Sequence, residues 1–550
     1  MFFRVKPSGP RRYLQIVENH WVDGRSRQRV LVTLGRLDDL QQDGRLETLL
    51  ASGARFAQQA LLLTNLHQGQ LDAVRRQRFG AVSIFERLWR ETGCHAVLGR
   101  LLRERHFEFA VERAVFLTVL HRLLATGSDR AADKWKADYA LDGVAALQLH
   151  HLYRAMAWLG AALPAAEQRG STRLVPLCTK DRIEEGIFQR RRDLFTNIQA
   201  VFFDTTSIYF EGEGGNELGQ YGHSKDHRPD LKQMIVGAVL DGDGRPLCCE
   251  MWPGNTTDVK TLIPIVDGLY QRFGILKVCI VADRGMISQE TIDDLDQQGW
   301  PYILGARMRR CKEVREQVLG DRGRFRVVHP KSRDPKDPSP LKAKEVLVEG
   351  RRYVVCVNED EVTKDRADRE AILAGLREQL RAGDKSLVGN KGYRRFLKTE
   401  GAGHFVIDEA KIAAEARYDG TWVLRTSTDL ATAEVALQFK RLWQVEHWFR
   451  SCKSLLDTRP IYHQRDATIR GHVFCSFLAL LLRYELQTRL SAQGHAFEWA
   501  DVLQDLEGLE YVDVEQGDKR FRLRTDPTGT SSRVFQAVGV ALPPRVQQRT

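Results

Sequence analysis

Residues 200–210 read AVFFDTTSIYF. An apolar run with the character of a buried strand ends abruptly on Asp204 and two threonines. Aspartate is depleted from strand interiors, and an unpaired buried charge is costly. The carboxylate therefore either marks the exit of the strand into a turn or holds something positive. The surrounding sequence decides between the two.

A second aspartate stands in the same kind of place. The run KVCIVAD (277–283) is apolar until it stops on Asp283. Between 200 and 305 the pattern predicts strand, strand, strand, helix, strand, helix, strand. The pieces are KQMIVGAVL and RPLCCEMW joined across DGDG (241–244), a helix over 258–273, another over about 288–299, and PYILG (301–305). In α/β sheets, sites gather just beyond the carboxyl ends of strands, so the two aspartates can converge there.

The third carboxylate lies on a long helix predicted over 431–456, entered by Ser427, Thr428 or Asp429 as N-cap. Positions 435, 439, 442, 446, 449, 453 and 456 share one stripe at 3.6-residue spacing and read Val, Phe, Leu, Glu446, Phe, Lys453, Leu. A glutamate and a lysine thus interrupt a core-facing face, with Arg450 one turn beyond Glu446. An internal ion pair with snorkelling stems is the plain alternative. Taken together, two strand-end aspartates and an inward glutamate are hard oxygen ligands suited to Mg²⁺ or Mn²⁺. Two such ions about 3.5–4 Å apart activate a nucleophile and stabilise a leaving oxygen in an in-line displacement.

The rest of the chain sets bounds. At 550 residues it is too long for one ordinary core. Lys and Arg number 83 against 72 acids, a net charge of +11 that suits a polyanionic partner. No stretch approaches the roughly 20 apolar residues of a membrane span; VFCSFLALLL (473–482) reads as part of a buried helix over about 466–490. The N-terminus lacks the apolar core of an export signal, so a cytoplasmic location is expected. The nine cysteines form no C-x-x-C pair and are expected to be reduced thiols. Residues 1–36 carry eight Lys/Arg against two acids, and YLQIVENHWV and RQRVLVTLG form a hairpin across Asp23-Gly24, a candidate phosphate-contacting arm. From 83 to 197 the pattern is helical, with Ser83 and Glu86 as a capping box. Residues 306–427 are β-rich around the Pro-rich linker HPKSRDPKDPSP (329–340), and the tail from 527 is expected to be loosely ordered.

At this point the residues resemble a DDE transposase of bacterial insertion sequences, in the branch with a β-rich insertion before the third carboxylate, the insertion-sequence-four-like superfamily. The matching stretches are FFDTTSIYFEG, YGHSKDHRPDLKQMIVGAVLDGDGRPL, MWPGNTTDVKTL, VADRGMIS and WQVEHWFRSCKSLLDTRPIYH, together with YLQIVENHWVDGRSRQRVLVTLGRL. The resemblance implies an α/β protein with an RNase H-like catalytic core, a mixed five-stranded sheet with flanking helices. It makes Asp204, Asp283 and Glu446 the metal-binding triad of a two-metal site. The gaps of 79 and 163 residues leave room for an insertion only before Glu446. The family signature has Tyr seven residues before the glutamate, Arg four before it and Lys seven after. Here Lys453 matches, whereas the earlier positions are Phe439 and Leu442, so Arg441 and Arg450 are the candidate substitutes as phosphate contacts.

On this reading the segments are an N-terminal hairpin and linker (1–80), a helical DNA-end-binding region (81–197), the first part of the core (198–305), the insertion (306–427), the part of the core carrying Glu446 (428–495) and a tail (496–550). The implied reaction is metal-dependent cleavage at the element's ends and transfer of the freed 3′-hydroxyls into target DNA. The implied partners are double-stranded DNA and a second copy of the chain in the end-paired complex. The rival classes are a catalytically inactive DNA-binding derivative and a haloacid-dehalogenase-like phosphatase. The latter wants a second Asp two residues after the first, where this chain has Thr206.

Overall fold

The computed structural model describes the chain except residues 23–24, 43–45, 47, 49, 51, 54–71, 104, 169–173, 196–197, 276–277, 332–337, 383–392, 394, 401–403, 457, 517–518 and 550. The Asp23-Gly24 turn and most of the Pro-rich linker thus lie outside the described residues. The described part divides into two units: residues 1–79 with 507–528 and 541–550, and residues 80–506 with 529–540.

In the first unit, β1 (Phe2–Ser8), β2 (Arg11–Val22) and β3 (Arg25–Arg36) form an antiparallel sheet. The expected hairpin is β2–β3, paired Val22↔Arg25 at its tip, and β1 adds a strand on its other edge. A second sheet pairs β4 (Asp72–Arg78) with Glu510–Gln516, followed by Lys519–Arg524 and Val546–Arg549. The tail expected to be loose is therefore partly structured, because the Val546–Arg549 backbone completes a ladder with Arg520–Leu523.

The second unit begins with helices α1 (Gly80–Glu91), α2 (Cys94–Leu102), α3 (Val111–Leu124), α4 (Leu149–Leu159) and α5 (Thr179–Arg190). Helix α1 starts before the expected capping box. Ser83 sits inside its first turn, and Glu86 is drawn instead into ion pairs with Arg90 and Arg113.

The strands that follow are β5 (Ala200–Tyr209), β6 (Gln233–Asp241), β7 (Pro246–Pro253), β8 (Cys279–Ala282) and β9 (Tyr302–Gly305), with helices α6 (Leu262–Phe273) and α7 (Gln289–Gln298) between them. Next come β10 (Arg326–His329), β11 (Leu341–Val348), β12 (Arg351–Val357), helix α8 (Glu359–Ala382), β13 (Leu397–Glu400), β14 (His404–Ile407) and β15 (Thr421–Thr426).

One mixed sheet runs β10-β11-β12-β15-β9-β8-β5-β6-β7. Strands β5, β8 and β9 are parallel, while every other neighbour pair is antiparallel. The five-stranded sheet expected from the sequence is thus the middle and one end of a nine-stranded one. Strands from 326–426 continue it through β15, which pairs Leu424↔Gly305 on β9. An uncovered β9 would present unpaired N–H and C=O groups, and the inserted strand satisfies them.

Alternation along β5 sets its two faces. Val201 and Phe203 enter a core with Leu262, Val266 and Leu269 of α6 and Ile292 and Leu295 of α7. Phe202 and Asp204 therefore point to the other face. That face carries α9 (Thr432–Lys440) and α10 (Trp443–Arg450), of which α10 packs on β5 and β6.

The single long helix expected over 431–456 is broken. Its N-cap is Ala431 rather than any of residues 427–429. Tight i→i−3 bonds at Leu442, Gln444 and Val445 separate α9 from α10, and a wide turn follows over Ser451–Leu455. Mid-helix geometry of this kind often accompanies a functional site.

Helix α11 (Asp466–Ala492) packs with α3 and α4, and α12 (Ser531–Val538) buries Val534, Phe535 and Val538 against α11 and α1. No helix among the described residues is long and apolar enough to cross a membrane. Helices α4 and α11 approach at two glycines. A Cβ on Gly471 would lie 1.9 Å from the Met156 carbonyl oxygen, and one on Gly160 would lie 2.0 Å from that of Ala467. Because both obstacles are backbone, Gly471→Ala is expected to destabilise the protein by at least about 1–3 kcal/mol, seen as a lower denaturant midpoint; an unchanged midpoint would refute the close approach.

Candidate active site

The parallel ladder of β5 with β8 ends at Phe203↔Ala282. Asp204 and Asp283 are the next positions on the two strands and on the same face. Asp204 accepts the Thr205 N–H at 2.7 Å. Burial pushes its carboxyl up to about 6, against the pull of Lys225 and the Thr205 N–H, while the negative charges of Asp283 and Asp258 add to the rise. These two predicted residues are brought together.

Glu446 reaches the same side of the sheet by another route. The stripe predicted it to face inward, but it is an exposed residue of α10, whose Val445, Trp448 and Phe449 are buried, because the break between α9 and α10 resets which side faces the core. Gly305 at the end of β9 ties the elements together: a Cβ there would stand 3.2 Å from Phe439 Cζ of α9 and 3.4 Å from Asp283 Oδ1. Glu446 does not close a cage with the aspartates. Among the described residues, the carboxylate and imidazole groups with ligand atoms within 4.8 Å of one another are Asp181–Glu184–Glu250 and Asp129–His463–His472.

The three expected phosphate contacts differ. Arg441 and Arg450 are exposed. Lys453 is mostly buried, and its Nζ donates to Asp226 Oδ1 at 2.7 Å, where Arg459 also ends at 2.5 Å. Burial holds the Lys453 amine below its usual value, against the pull of Asp226. The second Asp226 oxygen is buried without a hydrogen-bond partner among the described residues.

Residues missed in the sequence complete the neighbourhood. The Thr205 hydroxyl donates to Asp258 Oδ1 at 2.7 Å, and Lys225 Nζ lies 3.1 Å from Asp258 Oδ2 and donates to the Thr205 carbonyl at 2.8 Å. The Lys225 N–H donates to Ser207 Oγ at 2.7 Å, so the loop after β5 is pinned back on that strand. A cleft of about 790 Å³ opens here, lined by His223, Lys225, Asp258, Arg284, Arg307 and Arg310. The available signal was Asp258 in GNTTDVK, an acid set just ahead of a helix.

The donor set fits a hard divalent cation: adjacent oxygen ligands, one of them with its carboxyl raised by burial and by neighbouring carboxylates, a cost that a cation would relieve. The Asp181–Glu184–Glu250 group differs, because its cations are already present. Lys180 Nζ meets Asp181 at 2.9 Å, and Arg272 meets Glu184 at 2.5 Å and Glu250 at 2.8 Å. This buried cluster joins α5, α6 and β7.

Residues 196–482, more than half of the chain, match the family described as the transposase DDE domain, and residues 3–66 match the N-terminal domain of IS1634 family transposases. The chain belongs to the DDE transposases of insertion sequences. Membership in that family implies dependence on a divalent metal. No curated protein matches the sequence. A solved structure, the cryo-EM synaptic complex of piggyBac transposase with hairpin DNA, is 10% identical over 77% of each chain with a TM-score of 0.35, too distant to carry an argument.

Removing one partner from a buried ionic cluster leaves uncompensated charge, typically costing about 3–5 kcal/mol. Arg272→Met is expected to destabilise the protein on that scale in denaturant titration, and a change below about 1 kcal/mol would show that the cluster is not held by Arg272.

Proposed function

We propose that this transposase cuts DNA at the ends of its insertion element and joins the freed ends to target DNA, using Asp204, Asp283 and Glu446 as one catalytic centre. The observation that carries the reading is the β5–β8 register, which sets two strand-end aspartates side by side. The strand order β7-β6-β5-β8-β9, with β5 central, supports reading this part of the sheet as an RNase H-like core.

In the first step water attacks the phosphodiester at the element's end, and the P–O3′ bond breaks to leave a 3′-hydroxyl. That hydroxyl then attacks a phosphodiester of the target strand, forming a new P–O bond and expelling the target's 3′-hydroxyl. Asp204, Asp283 and Glu446 would hold two divalent ions, Mg²⁺ or Mn²⁺, which supply Lewis-acid polarisation of phosphate oxygens and a lowered pKa for bound water. The chain's own part is positioning and charge. The parallel ladder fixes Asp204 and Asp283, and α10 carries Glu446 over the same face. Lys225 balances Asp258 beside them, and the exposed Arg450 and Arg441, joined by Lys453 once a phosphate draws it from Asp226, contact phosphates near the cut. Two copies of the chain pair the two ends of the element.

Cleavage of a labelled duplex carrying an element end is the direct test. Wild type is expected to cut with Mg²⁺ and not in EDTA, whereas Asp283→Ala loses at least about 100-fold, the scale of removing one electrostatic stabiliser. Equal cleavage by both proteins would overturn the site. Lys453→Ala is expected to weaken end binding and lower the salt slope by about one; unchanged binding and cleavage would refute that contact.

A further inference from the structure

A second cleft, of about 810 Å³, lies where residues 459–465 pass α4 and the start of α11. Its wall holds the Asp129–His463–His472 group, which has the ligand types of a transition-metal site. The hydrogen bonds exclude that use. Arg122 donates to His472 Nδ1 at 2.8 Å, so the proton of the neutral ring sits on Nε2, which faces the Thr458 carbonyl at 3.2 Å. His472 then has no lone pair to offer, and Arg122 adds a fixed positive charge beside it. The group is a support: Asp129 holds His463 at 3.5 Å, and His463 meets Tyr153 edge-on with ring centroids 5.6 Å apart.

The open side of the cleft has a different chemistry. Tyr462 is 71% exposed and Tyr153 is 37% exposed. Arg465 is exposed and in no ion pair among the described residues. Among the described residues Arg154 ion-pairs only with Glu108, at 3.3 Å and with that carboxylate 85% exposed, an interaction of little strength, and its guanidinium lies over the Phe109 ring at 5.2 Å. Exposed aromatic faces beside arginines are the elements with which proteins bind single strands, bases stacking on rings and phosphates meeting cations. The volume lies within the small-molecule pocket range, room for a nucleotide and not for a duplex. The segment is also tied to the catalytic strand. The Ile461 N–H donates to the Tyr209 carbonyl at 3.3 Å, and the Glu211 N–H donates to the Ile461 carbonyl at 3.0 Å, just beyond the end of the strand that carries Asp204.

We propose that this cleft binds an unpaired stretch of the DNA strand next to the catalytic centre, with a base on Tyr462 and phosphates on Arg465 and Arg154. The proposal rests on the catalytic reading above for the identity of the strand, and its test is kept separate from cleavage. Anisotropy of a fluorescent single-stranded oligonucleotide is measured against the full chain in EDTA, with the same oligonucleotide annealed to its complement as the second arm and Asp283→Ala in parallel.

Tyr462→Ala is expected to weaken single-strand binding roughly tenfold, the scale of one stacked base, with duplex binding unchanged and Tyr462→Phe restoring the loss. Arg465→Gln is expected to lower the single-strand salt slope by about 0.7. Both side chains are exposed, so folding is not at stake. Unchanged single-strand binding in both variants overturns the proposal, and so does an equal loss on the two arms. A wild type that binds single strands through Tyr462 and never cuts supports the cleft while sinking the catalytic reading.

Discussion

The structure of the larger unit depends on how two parallel strands stop. Strands β5 and β8 pair residue for residue from Ala200↔Cys279 to Phe203↔Ala282, and the hydrophobic sequence of both ends one position later on an aspartate. Four apolar pairs buried from both sides hold the register, since a slip of one residue would turn each core side chain to the wrong face. Once that register is set, two carboxylates must sit together at the edge of the core. Their repulsion and burial are visible in the raised Asp204 carboxyl. A divalent cation is the simplest physical relief, and it is also what the chemistry of a DDE transposase requires.

The remaining elements serve that edge. Lys225 and Asp258 form a charge-balanced pair on Thr205, the residue whose N–H bonds Asp204. Helix α9 brings Phe439 against the ends of β8 and β9, and the tightened turn after it redirects the chain so that α10 lies over β5 with Glu446 outward. Beyond α10, Lys453 and Arg459 share one oxygen of Asp226, so both cations are held by an internal acid. The same stretch of chain continues into the aromatic and arginine-lined cleft, so the catalytic strand and a second polar surface are joined by backbone hydrogen bonds.

Much of this was legible in the amino-acid order alone. The strands at 200–209, 233–241, 246–253, 279–282 and 302–305, the helices between them, and the inserted strands of 341–357 and 421–426 follow from periodicity and turn residues, which are local properties. The exceptional standing of Asp204 and Asp283 is local too, because an acid at the end of an apolar run conflicts with its surroundings wherever the strand goes. The resemblance to insertion-sequence transposases proposed Glu446 as a third member, but the inward stripe that spacing assigned to it did not survive folding, since the helix is broken and Glu446 is exposed.

What tertiary structure alone decided is everything that depends on partners distant in the chain. Sequence could not say that residues 326–426 extend the core sheet to nine strands, since the need to cover the β9 edge exists only after β9 is placed. Nor could it tell that the helix over 431–456 breaks, because packing on two different sheet regions overrides a continuous local pattern. Asp258, Lys225 and Asp226 carry no local anomaly, being polar residues in polar loops, and they gain meaning only from neighbours 20 to 227 positions away. Local order therefore determined the strands, the helices and the two misplaced acids. The fold determined which charges meet, because electrostatic and packing energies depend on distance in space and not along the chain.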